Sequence, residues 1–394
     1  MKNLLLSAVI EMVALTQLIA QTPEFEFHYI EKDADWITSA QQTTLSDIDR
    51  DGDLDFTTGN VHQNPSLFWY EYIKPDQWIK HVIGSDDDFY GGAASLDVDG
   101  DGRMDIISSE YLFINKLGET WPKGIGWDKY KIGTCDPWCH DLVIFDVNQD
   151  GIQDIITNSG VAQGEGLCWY EAGSDPKQPW TKHEIGGSAY RIHAGTSPQP
   201  AGDLDGDGDI DIAASAAWFE NVDGKGITWK IHGHNLIGQE GPWGMGTKTH
   251  VIDMDNDGDL DIVQGECDLR DKRAGLGWLE NDGRGNFTLY WLSERNALDD
   301  FHSLYVSDFD NDGDPDIMAG NGPLAKDKKT FIYENLAGKG NNPASEKWEK
   351  HVILDGFVAH DGLVGDVDGD GDMDIVSKEW TSGSVYYLEN KLKK

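Results

Sequence analysis

Short apolar runs bounded by glycine and aspartate recur along the chain, and they come in three kinds. The first follows an acidic cluster, as Asp-Ile-Ile at 105–107 and 154–156 or Asp-Ile-Val at 261–263 and 374–376. The second joins aromatic or apolar residues to an acid: Trp69-Tyr70-Glu71, Trp169-Tyr170-Glu171, Trp218-Phe219-Glu220-Asn221, Trp278-Leu279-Glu280-Asn281, Tyr333-Glu334-Asn335 and Leu388-Glu389-Asn390. The third reads Trp-x-Lys-His-x-Ile over 78–83, 180–185 and 348–353, with a looser version at 229–232 and a degraded one at 127–132. Runs this short, rich in β-branched and aromatic residues and punctuated by turn formers, predict strands. Four short strands per repeat of about 50 residues is the pattern of propeller blades.

The acidic clusters supply the register of the repeat. Asp-x-Asp-x-Asp-Gly-x-x-Asp begins at residues 47, 97, 146, 203, 253, 308 and 366, at intervals of 49 to 58 residues. The acidic positions are Asp47, Asp49, Asp51 and Asp55; Asp97, Asp99, Asp101 and Asp105; Asp146, Asn148, Asp150 and Asp154; Asp203, Asp205, Asp207 and Asp211; Asp253, Asp255, Asp257 and Asp261; Asp308, Asp310, Asp312 and Asp316; Asp366, Asp368, Asp370 and Asp374. Asn148 is the one departure. Alternate carboxylates on a sharply turned loop converge on a point, the carbonyl of position seven adds an oxygen, and glycine at position six permits the turn. That donor set suits a hard cation, and up to seven structural calcium ions are expected. An EF-hand needs glutamate at position twelve and a helix after it; here Thr58, Ser108, Thr157, Ala214, Gln264, Ala319 and Ser377 stand there and strand-forming runs follow.

The 28 residues after Asp366 and the 26 between residue 20 and Asp47 together make one repeat length. Phe27-His28-Tyr29-Ile30 also matches the Lys-His-x-Ile strand that the last repeat lacks. The expected fold is therefore all-β: one seven-bladed β-propeller over residues 21–394, its N-terminal strand completing the last blade and removing exposed edges.

Residues 1–20 read as a secretory signal, with Lys2, apolar stretches at 4–10 and 13–19, and Ala20 at the cleavage point. The protein is expected to be exported, periplasmic or secreted, and monomeric. No other apolar stretch is long enough to span a membrane. The formal net charge of −40 excludes wrapping nucleic acid or lying on anionic lipid. Four cysteines (Cys135, Cys139, Cys168, Cys267) are too few for a disulfide scaffold; Cys135 and Cys139 are one residue too far apart for a CxxCH haem attachment and read as a local disulfide or free thiols.

The acidic loops resemble the FG-GAP/VCBS repeats of integrin α-subunit propellers, over essentially the whole mature chain. Similar propellers occur in aldos-2-ulose dehydratase and in dehydratases and lyases that process uronic-acid oligosaccharides such as those of ulvan. The resemblance implies a fold and leaves three functions open: a β-eliminating dehydratase acting on the terminal uronic acid of an anionic oligosaccharide, a lyase of the same chemistry, or a non-catalytic calcium-stabilised lectin or adhesion propeller.

The acidic loops mark one face of the ring, and the segments leading into the innermost strands lie at the opposite mouth of the channel. His140, His302 and His360 each stand six residues before a loop aspartate and so occupy equivalent positions in three blades. Tyr90, Tyr190, Arg191, His193, Lys248 and His250 fall in the same stretches, and Arg270, Arg273 and Trp380 in the loops beside them. Basic side chains gathered at one mouth of so acidic a chain point to an anion, with arginine as a bidentate clamp. β-Elimination needs a base, an acid and a cation beside the carboxylate. His140 or His193 is expected as base, Tyr190 as acid and Arg191 as neutraliser, with His302 and His360 binding substrate or an additional divalent metal.

Overall fold

The second strand of each repeat is buried at every described position, as in Asp261–Glu266, whereas outer strands such as Thr181–Gly186 are mostly uncovered. This follows from position: inner strands are covered on both faces by neighbouring sheets, and outer strands on one. The computed structural model describes residues 23–38, 43–60, 65–84, 92–116, 118, 126–135, 139–159, 166–190, 192, 195–242, 244–337 and 348–392. They form seven antiparallel blades around a central channel, the innermost strand coming first in sequence in every blade but the seventh.

Blade 1 comprises Thr44–Ser46, Asp55–Gly59, Leu67–Lys74 and Gln77–Gly84; blade 2, Ala93–Leu96, Asp105–Ser108, Tyr111–Asn115 and Trp127–Lys131. Blade 3 comprises Cys139–Phe145, Asp154–Ser159, Leu167–Glu171 and Thr181–Gly186; blade 4, Ala201–Gly202, Asp211–Ala214, Ala217–Asn221 and Trp229–Gly233. Blade 5 comprises Thr247–Ile252, Asp261–Glu266, Ala274–Asn281 and Phe287–Asn296; blade 6, Phe301–Ser307, Asp316–Asn321, Lys329–Asn335 and Trp348–Asp355. Blade 7 takes His360–Gly365, Asp374–Lys378 and Thr381–Asn390 from the C-terminal end and Phe25–Thr38 from the N-terminal end, with Phe27 opposite Leu388.

The apolar core is a set of wedges between blades. Ile156 and Trp169 meet Ile212 and Phe219 between blades 3 and 4, and Phe56, Phe68 and Tyr70 meet Val367, Val376 and Tyr387 between blades 1 and 7. Phe219 is fully buried in its wedge; truncation to alanine there should cost about 3–5 kcal/mol. The residue after each loop's first aspartate anchors the loop in a wedge, as Ile48, Val147, Leu204, Met254, Phe309 and Val367 do.

One strand departs from the repeat. The innermost strand of blade 4 is only Ala201–Gly202, because Pro198–Gln199 crosses to pair in parallel with Thr249 and His250 of blade 5. Proline lacks an N–H and is tolerated at such an edge. The excursion carries Ser197 toward the channel centre.

Candidate functional site

Two acidic regions are built from the inner strands, one at each end of them. In the loops, the ninth-position aspartate is buried and works as a backbone clamp. Asp55 accepts the N–H groups of Ile48 and Tyr72 at 2.9 and 3.0 Å, and Asp261 those of Met254 and Asn281 at 3.1 and 2.7 Å. The same two bonds recur at Asp105, Asp154, Asp211, Asp316 and Asp374. Burial pushes these carboxyls up, to about 9 at Asp55, about 8 at Asp316 and about 7 at Asp261, against the lowering effect of the two amides.

The third-position carboxylates face inward. Buried oxygens of Asp49, Asp205, Asp255 and Asp310 have no hydrogen-bond partner among the described residues. Burial first, then the neighbouring loop aspartate, pushes Asp49 and Asp255 up to about 6 and Asp310 to about 7. Behind each stands the glutamate of the third strand: Glu71 beside Asp49, Glu220 beside Asp205, Glu280 beside Asp255, Glu334 beside Asp310 and Glu389 beside Asp368. That glutamate is held from behind by an outer-strand histidine, at 2.6 Å for His81–Glu71, His232–Glu220 and His351–Glu334 and 2.7 Å for His183–Glu171. His81, His183 and His232 in turn stack on Trp69, Trp169 and Trp218.

The second region is made once, at the middle of the ring. Lys248 from blade 5 reaches between Asp361 of blade 7, which it contacts closely, and Asp141 of blade 3 at 3.5 Å, and it donates to Ser197 Oγ at 2.8 Å. Nδ1 of His140 lies 2.8 Å from Asp141 Oδ1, and Nδ1 of His360 lies 2.8 Å from Asp361 Oδ2. His302 stacks on His360 with ring centroids 4.2 Å apart; its Nε2 is 3.3 Å from Asp268 Oδ2 and its Nδ1 is 3.7 Å from Asp361 Oδ1. Asp141 Oδ2 also accepts the N–H groups of Gly195 and Thr196. Lys248, His302, Asp361 and Ser197 line a central cavity of about 270 Å³ whose other walls are inner strands.

Burial alone would raise Asp141 and Asp361, but Lys248 and the adjacent histidines hold both well below the usual carboxylate range. Those two carboxylates likewise keep Lys248 above its ordinary value against burial. Burial works against a charged His302, yet Asp268 and Asp361 raise it to about 9, so it is an imidazolium at neutral pH. His360, by contrast, is lowered by burial to about 3 and stays neutral. Burial also lowers Lys378, which donates to the His360 carbonyl, to about 8, and raises Asp300 to about 6.

The residues expected from sequence divide into groups. His140, His302, His360 and Lys248 come together. Trp380 stands at their edge, its ring 6.4 Å from that of His360. His250 does not join them: it is buried, its Nδ1 accepts the Val306 N–H at 3.1 Å, it packs edge-on to Tyr305, and burial lowers it to about 3, so it is a packing residue between blades 5 and 6. Tyr190 ends the short turn Ser188–Tyr190 and packs with the wedge of blades 3 and 4, its hydroxyl against Gly233. Arg270 and Arg273 are exposed in the loop after Asp261–Glu266. Tyr90, Arg191 and His193 lie outside the described residues, as does the 1–20 segment. Cys135 and Cys139 form a disulfide immediately before His140, and Cys168 and Cys267 are buried thiols.

Sequence reasoning missed Asp141, Asp361, Asp268, Asp300 and Lys378. A signal existed for the first two: His-Asp recurs at 140–141 and 360–361 at the same offset from the loop, placing an acid inside an otherwise apolar strand.

This architecture, with one asymmetric centre inside a repeated ring, defines a seven-bladed β-propeller. Within it, residues 253–319, from the fifth loop through the sixth, match the FG-GAP-like repeat. Among solved structures the chain is similar to BBS1N in its complex with ARL6DN, with a TM-score of 0.53 and 8% identity over 93% of this chain and 98% of that one. It is also similar to luciferin-regenerating enzyme (TM-score 0.45, 9% identity, 94% and 97% covered). A mutant of the alpha-L-arabinofuranosidase arb93a from Fusarium graminearum gives 0.44, 10% identity, and 94% and 98% covered. At these identities the likeness concerns the fold. No curated protein sequence matches the chain. No helix among the described residues is long and apolar enough to cross a membrane.

Proposed function

We propose that the channel cluster is the active site of an exported β-eliminating enzyme, a dehydratase acting on the terminal uronic acid of anionic, ulvan-like oligosaccharides. The observation that carries this reading is the convergence of two His–Asp pairs and the His302 imidazolium on Lys248, with Lys248, His302 and Asp361 in the wall of one cavity and His140 buried behind it. His140, oriented by Asp141, would take the proton α to the sugar carboxylate. That electron pair forms the carbon–carbon double bond as the bond to the β oxygen breaks, and His302 gives its proton to the departing oxygen. Lys248 would offset the charge that develops on the carboxylate. His302 thus replaces Tyr190 as the acid, and Lys248 replaces Arg191 as the neutraliser.

Cavity size favours water as the leaving group over a long glycan: about 270 Å³ lies just below the usual range of ligand sites and has room for no more than one terminal ring. None of His140, Asp141, Lys248, His302, His360 and Asp361 is more than 5% exposed, so a polymer could not lie across them. An additional divalent ion would find donors grouped in His360, Asp361 and, once deprotonated, His302. The acidic loops fit calcium on the strength of their inward, unpartnered Asp49, Asp205, Asp255 and Asp310 oxygens, and we assign them structural calcium. One observation favours the lectin reading instead: Lys248 is already fully paired, as a structural cross-tie would be.

The test mixes calcium-loaded protein with a panel of uronic-acid oligosaccharides and follows absorbance of the conjugated unsaturated uronate. Product that forms with wild type and is lost in His140→Ala and His302→Gln supports elimination, and loss of one water by mass separates dehydratase from lyase. Glycan binding by folded protein with no absorbance change across the panel moves the assignment to a lectin.

A further inference from the structure

Blade 2 breaks the acidic pattern in four places at once. In the other blades the residue after the register partner of the loop's second-strand isoleucine or phenylalanine is glutamate: Glu71, Glu171, Glu220, Glu280, Glu334 and Glu389. In blade 2, Ile106 pairs with Phe113 and the next residue is Ile114. The outer-strand position that holds histidine in blades 1, 3, 4, 6 and 7 is Tyr130, opposite Leu112. Position seven, which is aspartate in loops one, four, five, six and seven, is Arg103. Its guanidinium contacts Asp101 closely and its Nε donates to the Asn115 carbonyl at 2.9 Å.

The fourth departure comes from the neighbouring blade. Lys177, in the turn before the outer strand of blade 3, extends over the Tyr130 ring and donates to Asp99 Oδ2 at 3.4 Å. The Arg50 guanidinium of loop one lies against Gly102. Loop one therefore gathers six carboxylates, Asp47, Asp49, Asp51, Asp53, Asp55 and Glu71, with no basic side chain at position seven. Loop two gathers four, Asp97, Asp99, Asp101 and Asp105, with two cations bonded to them. Buried oxygens without a partner occur at position three of loops one, four, five and six, and Asp255 and Asp310 are more than nine-tenths buried. At loop two the same position is bonded to an ammonium. Loop three is intermediate: Asn148 donates to Glu171 at 3.4 Å, and among the described residues no basic side chain is bonded to it.

We propose that loop two is neutralised by the protein's own Lys177 and Arg103 in place of a divalent ion, so that blade 2 folds without metal while the loops backed by a glutamate take it up. The proposal rests on the assignment of calcium to the other loops. Two effects act in the same direction. Removing the glutamate and adding two cations lowers the attraction for a divalent ion, and the tyrosine platform holds the lysine where the ion would otherwise draw the carboxylates together.

The test counts calcium ions per full mature chain by native mass spectrometry at micromolar free calcium, with circular dichroism to confirm folding. Asp97→Asn is expected to leave the count unchanged, whereas Asp253→Asn in loop five lowers it by one. The combined variant Ile114→Glu, Arg103→Asp, Lys177→Gln is expected to raise the count by one. A count that drops with Asp97→Asn overturns the proposal, as does a folded triple variant that gains no ion. If wild type binds no calcium and Asp253→Asn changes nothing, the calcium assignment itself fails and this proposal with it. If the triple variant does not fold, the Asp97→Asn and Asp253→Asn pair decides alone.

Discussion

Asp55 and Asp141 are both fully buried carboxylates, and the protein pushes them in opposite directions. Asp55, in the ring of loops, rises to about 9 because burial acts on it with only two amides in opposition. Asp141, at the centre, falls well below the usual range because Lys248 and His140 outweigh the same burial. A buried charge needs a partner, and the two regions obtain theirs differently. The centre carries a lysine from a distant blade, whereas most loops present unpartnered oxygens, for which we proposed a cation. One arrangement is fixed by the fold; the other makes the fold conditional on its surroundings.

Removing divalent ions is the strongest way to expose that contrast. An ion present at a hundredfold excess over its Kd contributes about 2.7 kcal/mol per site, so chelation should lower Tm in one large, calcium-reversible step in a thermal melt. A Tm indifferent to chelator would erase the distinction between loops and centre. Next in size is Lys248→Met, which strands two buried carboxylates and should cost about 3–5 kcal/mol in urea denaturation. Adding Asp141→Asn and Asp361→Asn should recover most of that loss, and a single-variant cost under about 1 kcal/mol would place the trio with ordinary surface pairs.

Asp261→Asn weakens a two-amide clamp while leaving loop length and burial intact. It should cost about 1–3 kcal/mol, measured at saturating calcium. The pH dependence of the centre has a defined sign. His302 is raised from 6.5 to about 9, so its contribution is complete below pH 6.5 and is lost as pH climbs through 9. Wild type should therefore lose stability over that interval and His302→Gln should lose less; equal slopes would show that His302 is not charged. His81→Ala, which removes a largely buried hydrogen bond to Glu71, should cost only about 0.5–1.5 kcal/mol.

The ring was legible in the sequence because its chemistry repeats. Asp, Gly and an apolar run at fixed spacing state the loop, the turn and the strand seven times over. The centre was legible only where it shares that spacing, which is how His140, His302 and His360 could be aligned. Its remaining members meet across the ring: Lys248 and Asp361 are 113 residues apart, and no local pattern announces their contact. His250 shares its strand with Lys248, yet it packs against Tyr305, a distinction set by the neighbouring blade. The short strand of blade 4 was hidden for the same reason, since Pro198–Gln199 is defined by its parallel partners in blade 5.

Blade 7 draws its outer strand from the opposite end of the chain, and His28 meets Glu389 across 361 residues. That pairing gives the protein a clock. During synthesis, residues 25–38 emerge first and have no edge to join until residues 381–390 have appeared. The early strand must wait unpaired while six blades assemble, and such waiting segments are where misassembly and exchange between chains begin. Joining the two ends by a linker and opening the chain at another connection between blades would shorten that wait.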